Sequence, residues 1–554
     1  GLGNRIEYTL DNMGNRVAEN AYDPGNTLSR SHSRVIDGLN RLFKDIGGTN
    51  PATQIMQNGY DANGNVTSIL DPLGRTTTQE YDALNRLTAV KDPFNGPSAP
   101  TDYSYNRQGT LTQVTDPTGL ATSYTVNGHG ETLVQSSPDT GTTSFTYDAA
   151  SNVTSRLDAR GVQATYAYDA LNRVTLVTYP DETVAYTYDS CANGAGRLCA
   201  VSDRTGSTTY AFDLWGRVTA KTQVTGALSR TMGYAYNAAG QLAAITTPSG
   251  RQVTYGYGNS RPVSVAVGGV PVLGSADYEP FGPVAGWLWG NHTQATPNAH
   301  TRVVDRDFRV SRVRSDLPAT ASQAAFDRQL GWDDQGRVLT IADLANAALS
   351  ATYGYDSLDR LASAAQGASS WGFTYNGIGD RLTSIAGGAT TSYGYAAGTH
   401  RLQSLSGAQA RSYSFDAAGN VISDGNLTWV YGGHNRPTAI GPLAIHVNAL
   451  GQRVRKQAAS AATVFAYDEA GRLWGEYTDS GTLVQETVWL DDLPVATLRP
   501  SPTGADVYYV HTDHLGTPRA VTRPVDNQFV WRWDNTEPFG NAPADENPSG
   551  LGVF

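Results

Sequence analysis

The stretch Ala164-Thr165-Tyr166-Ala167-Tyr168-Asp169-Ala170-Leu171-Asn172-Arg173-Val174 decides the fold of this chain. Tyr166 and Tyr168 lie two apart and so project from one face of an extended strand. Asp169 then opens a turn with a carboxylate able to accept backbone N–H bonds. The fourth position of the turn, Asn172 here, is Gly in most related phrases and Asn again at Asn40 and Asn85. Only a demand for positive φ groups those two residue types. A hairpin loop of three to four residues, with its left-handed residue just before the return strand, supplies that demand, so the phrase reads as strand, turn, strand. Apolar residues do not recur at three and four, and Gly and Pro punctuate throughout, which rules out a helical reading.

The phrase recurs at intervals of roughly twenty to twenty-four residues. Clear copies begin at Tyr60, Tyr81, Tyr147, Tyr188, Phe212, Tyr355, Phe415 and Tyr467, and softer ones at Tyr105, Val126, Tyr236, Trp332 and Tyr375. A lone hairpin is marginal in water, so stability has to come from pairing each repeat with the next, through cross-strand contacts of roughly 0.2–1 kcal/mol each. Right-handed twist accumulates over so many short strands, and free edges invite aggregation. The expected fold is therefore all-β, an array of hairpins spiralling into a large, hollow barrel or cocoon. Only three Met and thirteen Phe occur, a composition that suits a wall better than a filled core.

The rhythm divides the chain. Residues 1–257 read as the first part of the wall. In 258–331 the phrase lapses: Pro262, Pro271, Pro280-Phe281-Gly282-Pro283 and Trp287-Leu288-Trp289 replace it, followed by a basic stretch from Arg302 to Arg314, so this segment reads as an irregular insertion or seam. Residues 332–500 resume the wall. In 501–554 the style changes again, around Tyr508-Tyr509-Val510-His511-Thr512-Asp513-His514-Leu515-Gly516-Thr517-Pro518-Arg519, as the atypical end of a repeat stack would. The array starts in mid-phrase at Tyr8-Thr9-Leu10-Asp11, as expected of an internal piece of a longer product.

Net charge is −11 and the pI is about 5.3, with basic residues spread one per turn, which disfavours nucleic acid as a partner. No apolar run approaches a membrane span, and the first residues show no signal-peptide pattern. Cys191 and Cys199 flank the turn of one repeat, so a hairpin can bring them together as a disulfide in an oxidising compartment, with two unlinked thiols as the alternative. His511, Asp513 and His514 have the residue types for metal ligation, set against the plainer reading of a structural turn. His129, His292, His400 and His434 are scattered singly. Trp287 and Trp289 either pack between strands or, if exposed, stack on sugars. Neither a phosphate-cradling Gly-rich loop nor a Gly-x-Ser-x-Gly elbow occurs, and an array with an Asp in every turn singles out no catalytic carboxylate pair. No catalytic, cofactor-binding or metal residue is expected.

The Tyr-Asp array together with Asp513-His514-Leu515-Gly516-Thr517-Pro518-Arg519 resembles the RHS/YD-repeat family, the second phrase resembling the opening of its core region. In that motif Asp513, His514, Gly516, Pro518 and Arg519 are expected to be structural. The resemblance implies a β-sheet shell wound around a cavity. In bacterial members such a shell encloses a C-terminal toxic domain of the same polypeptide and works with delivery proteins, through type VI secretion or as part of insecticidal toxin complexes. It also implies a non-enzymatic chain, delivered or secreted from a bacterium. Teneurin ectodomains are similar and serve adhesion, so a surface adhesion or glycan-binding module is the alternative, with a polysaccharide-acting enzyme third. Bacterial members usually continue to a self-cleaving Asp-Pro-x-Gly-Leu motif; here Asn547-Pro548-Ser549-Gly550-Leu551 carries Asn in place of the Asp and reads as a turn.

Overall fold

The protein is seen in a computed structural model that describes residues 3–48, 53–290, 298–316, 324–502, 504–550 and 554. Strand follows strand from Arg5–Leu10 to Phe529–Arg532, and the 3-10 turn Ala347–Leu349 is the one helical element among the described residues. Pairing is sequential and antiparallel: Gln163–Tyr168 pairs with Val174–Thr178, which pairs with Thr183–Tyr188. The first 37 strands form one sheet ending at Arg411–Ser412, a two-stranded sheet follows, and the last eleven strands form a third. The bridge Ser423↔Thr428 spans the second break.

Sequential pairing continues through 258–331. Arg261–Val267, Val270–Tyr278, Val284–Trp289, Ala299–Val304 and Val310–Asp316 join neighbour to neighbour. Pro262 and Pro271 sit at register shifts, where a missing backbone donor costs the ladder least. In the Tyr-Asp hairpins the shift falls at the tyrosine itself: Ala167 pairs with Leu176 but Tyr168 with Val174.

The sheet winds on itself. Arg75 Nη1 donates to the carbonyl of Asp356 at 3.4 Å, 281 residues on, and Asn95 Nδ2 to that of Gly377 at 2.9 Å, 282 residues on. Farther along, Arg160 reaches Gly432 O at a separation of 272, Lys221 reaches Asp468 O at 247, and Arg302 reaches Asp513 O at 211. Both ends of these contacts advance together, which is the signature of successive coils of one spiral, and the separation falls from 282 to 211 residues toward the end of the chain.

Strand counts give its size. Twenty-five strands, from Thr76–Tyr81 to Ala351–Tyr355, separate Arg75 from Asp356. At about 4.8 Å per strand the circuit is about 120 Å, or about 40 Å across if round. Between Arg302 and Asp513 there are twenty-one strands, about 100 Å of circuit and about 30 Å across. A ring of that many strands is far wider than the eight-stranded barrel that side chains fill, so the wall encircles space.

Most wall residues are only half-buried. Among the described residues the largest hydrophobic cluster lies where the coil tightens: Met232, Ile245, Val253, Leu273, Trp287 and Trp289 of the first coil pack against Trp474, Val488, Leu490, Leu498 and Tyr509 of the second. Trp289 stacks on Tyr509 with ring centroids 4.8 Å apart.

Candidate functional site

Each repeat turn is a small machine for joining hairpins. Asp169 N donates to Arg173 O and Asn172 N to Asp169 O, both at 3.0 Å, closing a loop with Asn172 at φ 59°. The Asp169 carboxylate accepts the N–H groups of Leu171 and Arg173 through Oδ1 at 2.9 and 3.0 Å, and Arg173 Nε through Oδ2 at 2.7 Å. The backbone N–H of Arg173, followed by its guanidinium, holds this carboxyl below the usual aspartate range.

The same residues then grip the neighbours. Tyr168 Oη donates to Val153 O of the preceding repeat at 2.9 Å. The guanidinium of Arg173 lies 4.4 Å over the ring of Tyr188 in the following one. The arrangement repeats: Arg86 covers Tyr105 and donates to Asn106 O, Arg309 covers Trp332 and donates to Asp333 O, Arg360 covers Tyr375 and donates to Asn376 O. Tyr60, Tyr105, Tyr236, Tyr355 and Tyr467 donate as Tyr168 does, and Trp332 substitutes its indole N–H.

These turns form one rim of the wall, and a second class of turn forms the other. Asp71-Pro72-Leu73-Gly74-Arg75, Asp92-Pro93-Phe94-Asn95 and Asp158-Ala159-Arg160 belong to it, and the sequence reading passed over them as punctuation. On the first coil they seat on the Tyr-Asp turns of the second. Arg160 donates to Gly432 O at 3.0 Å, Asp181 accepts from Gly433 N, and Asp203 from Ala449 N. His400 is held by both ring nitrogens, Nδ1 2.8 Å from Asp139 Oδ2 and Nε2 3.1 Å from Asp116 Oδ2. Lys221 is buried at this seam with its ammonium on Asp468 O at 2.8 Å, and burial pulls its pKa down to about 8 against the pull of Asp468 and Glu469. Buried Glu486 is likewise satisfied, by Tyr477 Oη and by the N–H and hydroxyl of Ser249.

The motif at Asp513 is one more turn of the Tyr-Asp kind, with Asp513 itself fully buried and Leu515 exposed. Asp513 Oδ1 accepts Leu515 N at 2.9 Å and Thr517 N at 3.1 Å, and Gly516 stands at φ 77°. Pro518 opens the return strand opposite Thr512. Arg519, two residues later than the usual arginine and so on the same strand face, donates Nε to Asp513 Oδ2 at 2.7 Å and lies 4.5 Å over Trp533. Arg302 of the first coil caps the turn, donating to the carbonyls of Asp513 and His514 at 3.1 and 2.9 Å. The His514 side chain makes no bond to local backbone: its Nδ1 is buried without a protein partner. His511 Nε2 meets Thr522 Oγ1 at 2.8 Å. Among the described residues no three His, Cys, Asp or Glu side chains converge as metal ligands.

Cys191 and Cys199 are joined by a disulfide across their turn. Trp287, Trp289 and Trp474 are buried and offer no exposed face for stacking. Gly550 N donates to Asn547 O in a turn, while Leu551 and His292 lie outside the described residues. No described helix is long and apolar enough to cross a membrane.

The model of the RHS repeat matches the chain at residues 60–97, 147–184 and 236–269, each a stretch of the hairpins just described. The chain therefore carries RHS repeats. Three similar solved structures come from toxin complexes. The crystal structure of TcdB2-TccC3-Cdc42 has a TM-score of 0.72 at 15% identity, covering 95% of this RHS-repeat chain and 32% of that one. A Photorhabdus luminescens Tc holotoxin pore gives 0.64 at 14%, covering 96% and 32%. TcdB2-TccC3 without its hypervariable C-terminal region gives 0.61 at 14%, covering 96% and 34%. At such identity the likeness is one of fold, and the RHS-repeat chain spans about a third of the length of the structures it matches. No curated protein matches its sequence.

Proposed function

We propose that this RHS-repeat chain is a section of a shell that encloses a toxic C-terminal effector domain of its parent polypeptide and helps deliver it from an exporting bacterium. The observation that carries this reading is the winding: a seamed circuit of twenty-five strands, narrowing along the chain. A wall of that girth keeps a partly unfolded domain away from outside contacts without contributing chemistry itself, so the chain acts as a container and its delivery proteins supply the export step. The toxin complexes among its fold neighbours support the same reading. Burial of Trp287, Trp289 and Trp474 weighs against a glycan-binding role.

Limited proteolysis tests it. An unstable cargo domain appended after Phe554 is expected to survive protease at least tenfold longer than the same domain free, and to lose that protection when Arg160→Ala and Arg302→Ala loosen the seam. Digestion at the rate of free cargo overturns the reading.

A further inference from the structure

The wall changes character between Arg411 and Ile440. Five consecutive strands there, Arg411–Ser412, Ser414–Phe415, Val421–Ser423, Trp429–Tyr431 and Pro437–Ile440, are two to four residues long. Every strand from Arg5 to Gly407 and from Leu443 to Thr522 has at least five. The hairpin 414–423 stands as a sheet of its own, paired internally at Ser414↔Ser423 and Phe415↔Val421 and joined to Trp429–Tyr431 by the one bridge Ser423↔Thr428. Its flanks are otherwise tied by side chains. Arg401 donates to Asp416 O and Ala417 O at 3.4 and 3.2 Å, Tyr431 Oη to Val421 O at 3.0 Å, and Asn420 Nδ2 to Asn435 Oδ1 at 2.6 Å. A cleft of about 310 Å³ separates its Phe415 and Val421, with Tyr413, from Asp139, Thr140 and His400, and those three apolar side chains belong to no hydrophobic cluster among the described residues.

The seam passes over the same hairpin. Turns of the second coil bond to the first at Asp356, Gly377, His400, Gly432, Ala449 and Asp468. The turn 416–420 does not: among the described residues no hydrogen bond joins residues 402–431 to the first coil. Gly419 only rests against Asp139 O, so closely that a side-chain carbon would collide with it. What fastens this stretch is the pair of residues before it. His400 is gripped by Asp116 and Asp139 of the first coil, and Arg401 Nε donates to Asp139 O at 2.8 Å while its outer nitrogens hold the carbonyls of the turn.

We propose that the hairpin 414–423 is a hinged panel that opens a port through the wall, pivoting at Tyr413 and at the turn 424–427, with His400 and Arg401 as its clasp. Swinging it out breaks few backbone bonds and exposes little apolar surface, the conditions under which a segment opens locally while the rest of a structure holds. The gap left between Leu402–Gly407 and Trp429–Tyr431 spans three strand spacings, about 14 Å at about 4.8 Å each. That admits an extended polypeptide and excludes a folded domain, which is about 30 Å across. Use of the port as an exit for cargo rests on the container reading; the opening itself is a property of the wall.

Hydrogen exchange on the full chain tests the opening alone. The amides of Asp416 and Gly419 are bonded within their turn at 2.9 and 3.1 Å, as those of Asp356 and Asp359 are at 3.0 and 3.2 Å in a turn that Arg75 fastens to the first coil. After correction for intrinsic rates, Asp416 and Gly419 are expected to exchange at least tenfold faster than Asp356 and Asp359. His400→Ala, which removes part of the clasp and no bond to the hairpin, should speed residues 414–423 together by at least a further threefold and leave the Asp356 turn unchanged. Ser423→Cys with Thr428→Cys, oxidised across the single bridge, should slow them to the rate of the Asp356 turn, and reductant should restore the speed. Equal protection of the two turns in the parent chain overturns the proposal, as does a His400→Ala effect spread over both turns or a bridged variant that exchanges as fast as the parent. Fast exchange here without any protection of cargo by the shell would remove the container reading and leave the panel standing.

Discussion

A repeat motif is usually described by its tyrosine and aspartate, yet the arginine is what turns hairpins into a wall. Arg173 is anchored by its own aspartate, stacks on the next repeat's Tyr188 and pairs with Asp189, while Tyr168 bonds back to Val153. Each link is worth little: about 1 kcal/mol for a hydrogen bond and about 0.5–1 kcal/mol for an exposed cation–π contact. Their number is what counts. Tyr168→Phe removes one rung and leaves Val153 O without its donor, so it should destabilise locally by about 1 kcal/mol. Hydrogen exchange should then quicken several-fold between residues 150 and 180 and stay unchanged in repeats two or more away; a global change would show that the array unfolds as one unit. The positive-φ requirement was legible from the interchange of Asn and Gly at Asn40, Asn85 and Asn172, all left-handed here. Ser151 and Asp359 occupy the same conformation with residue types that gave no such sign. The structural part expected of Arg519 is its bond to the Asp513 carboxylate, whereas the buried Nδ1 of His514 has no protein partner.

At the scale of the element, every hairpin has two ends with different duties, and only one was readable. The Tyr-Asp end has a nearly fixed vocabulary because each turn must present the same carboxylate and left-handed residue. The other end varies, from Asp71-Pro72 to the two-residue turn Arg204-Thr205, because its contacts are with whichever residues the next coil brings, some 250 positions away. Such distant partners leave no local pattern, which is why Arg160, Lys221 and His400 were not singled out as a group. The turn from Asp189 to Arg197 is the exception that carries its own brace, since it is longer than its neighbours and closed by Cys191–Cys199. A covalent loop this short constrains the unfolded chain by about 2.5 kcal/mol in the entropic account. Reduction should therefore raise exchange or proteolysis in residues 186–200 while leaving the hairpins around Tyr147 and Tyr236 protected. Loss of protection across the whole first coil would mean that this turn nucleates the wall instead of trimming it.

For the molecule as a whole, the shortening circuit brings the second coil onto the first, and the core formed there holds two imidazoles with no exposed surface. His300 stacks on Trp287 at 4.1 Å and meets Ser315, while His511 packs edge-on to Trp289 and meets Thr522. Burial is the main cause that keeps both neutral, with Arg302 and His511 adding repulsion at His300; it takes His511 down to about 3 and His300 well below the ordinary value. An unfolded chain binds protons at these histidines near pH 6.5 and the folded one does not, so their contribution to stability is complete above pH 6.5 and falls away as pH drops toward the folded value. For His511 alone the loss should reach about 2 kcal/mol at pH 5, at about 1.4 kcal/mol per pH unit, and His300 adds to it in the same sense. Melting curves between pH 7.5 and 5 should show the tightened end, followed by Trp289 and Trp474 fluorescence, loosening before the half-buried wall. His511→Gln, which keeps a polar group near Thr522 without the titration, should flatten part of that slope at some cost in stability at neutral pH. A slope identical in the variant and the parent would place the acid sensitivity elsewhere, in the carboxylates of the turns, whose pKa values are lowered and whose contribution is lost only below about pH 4.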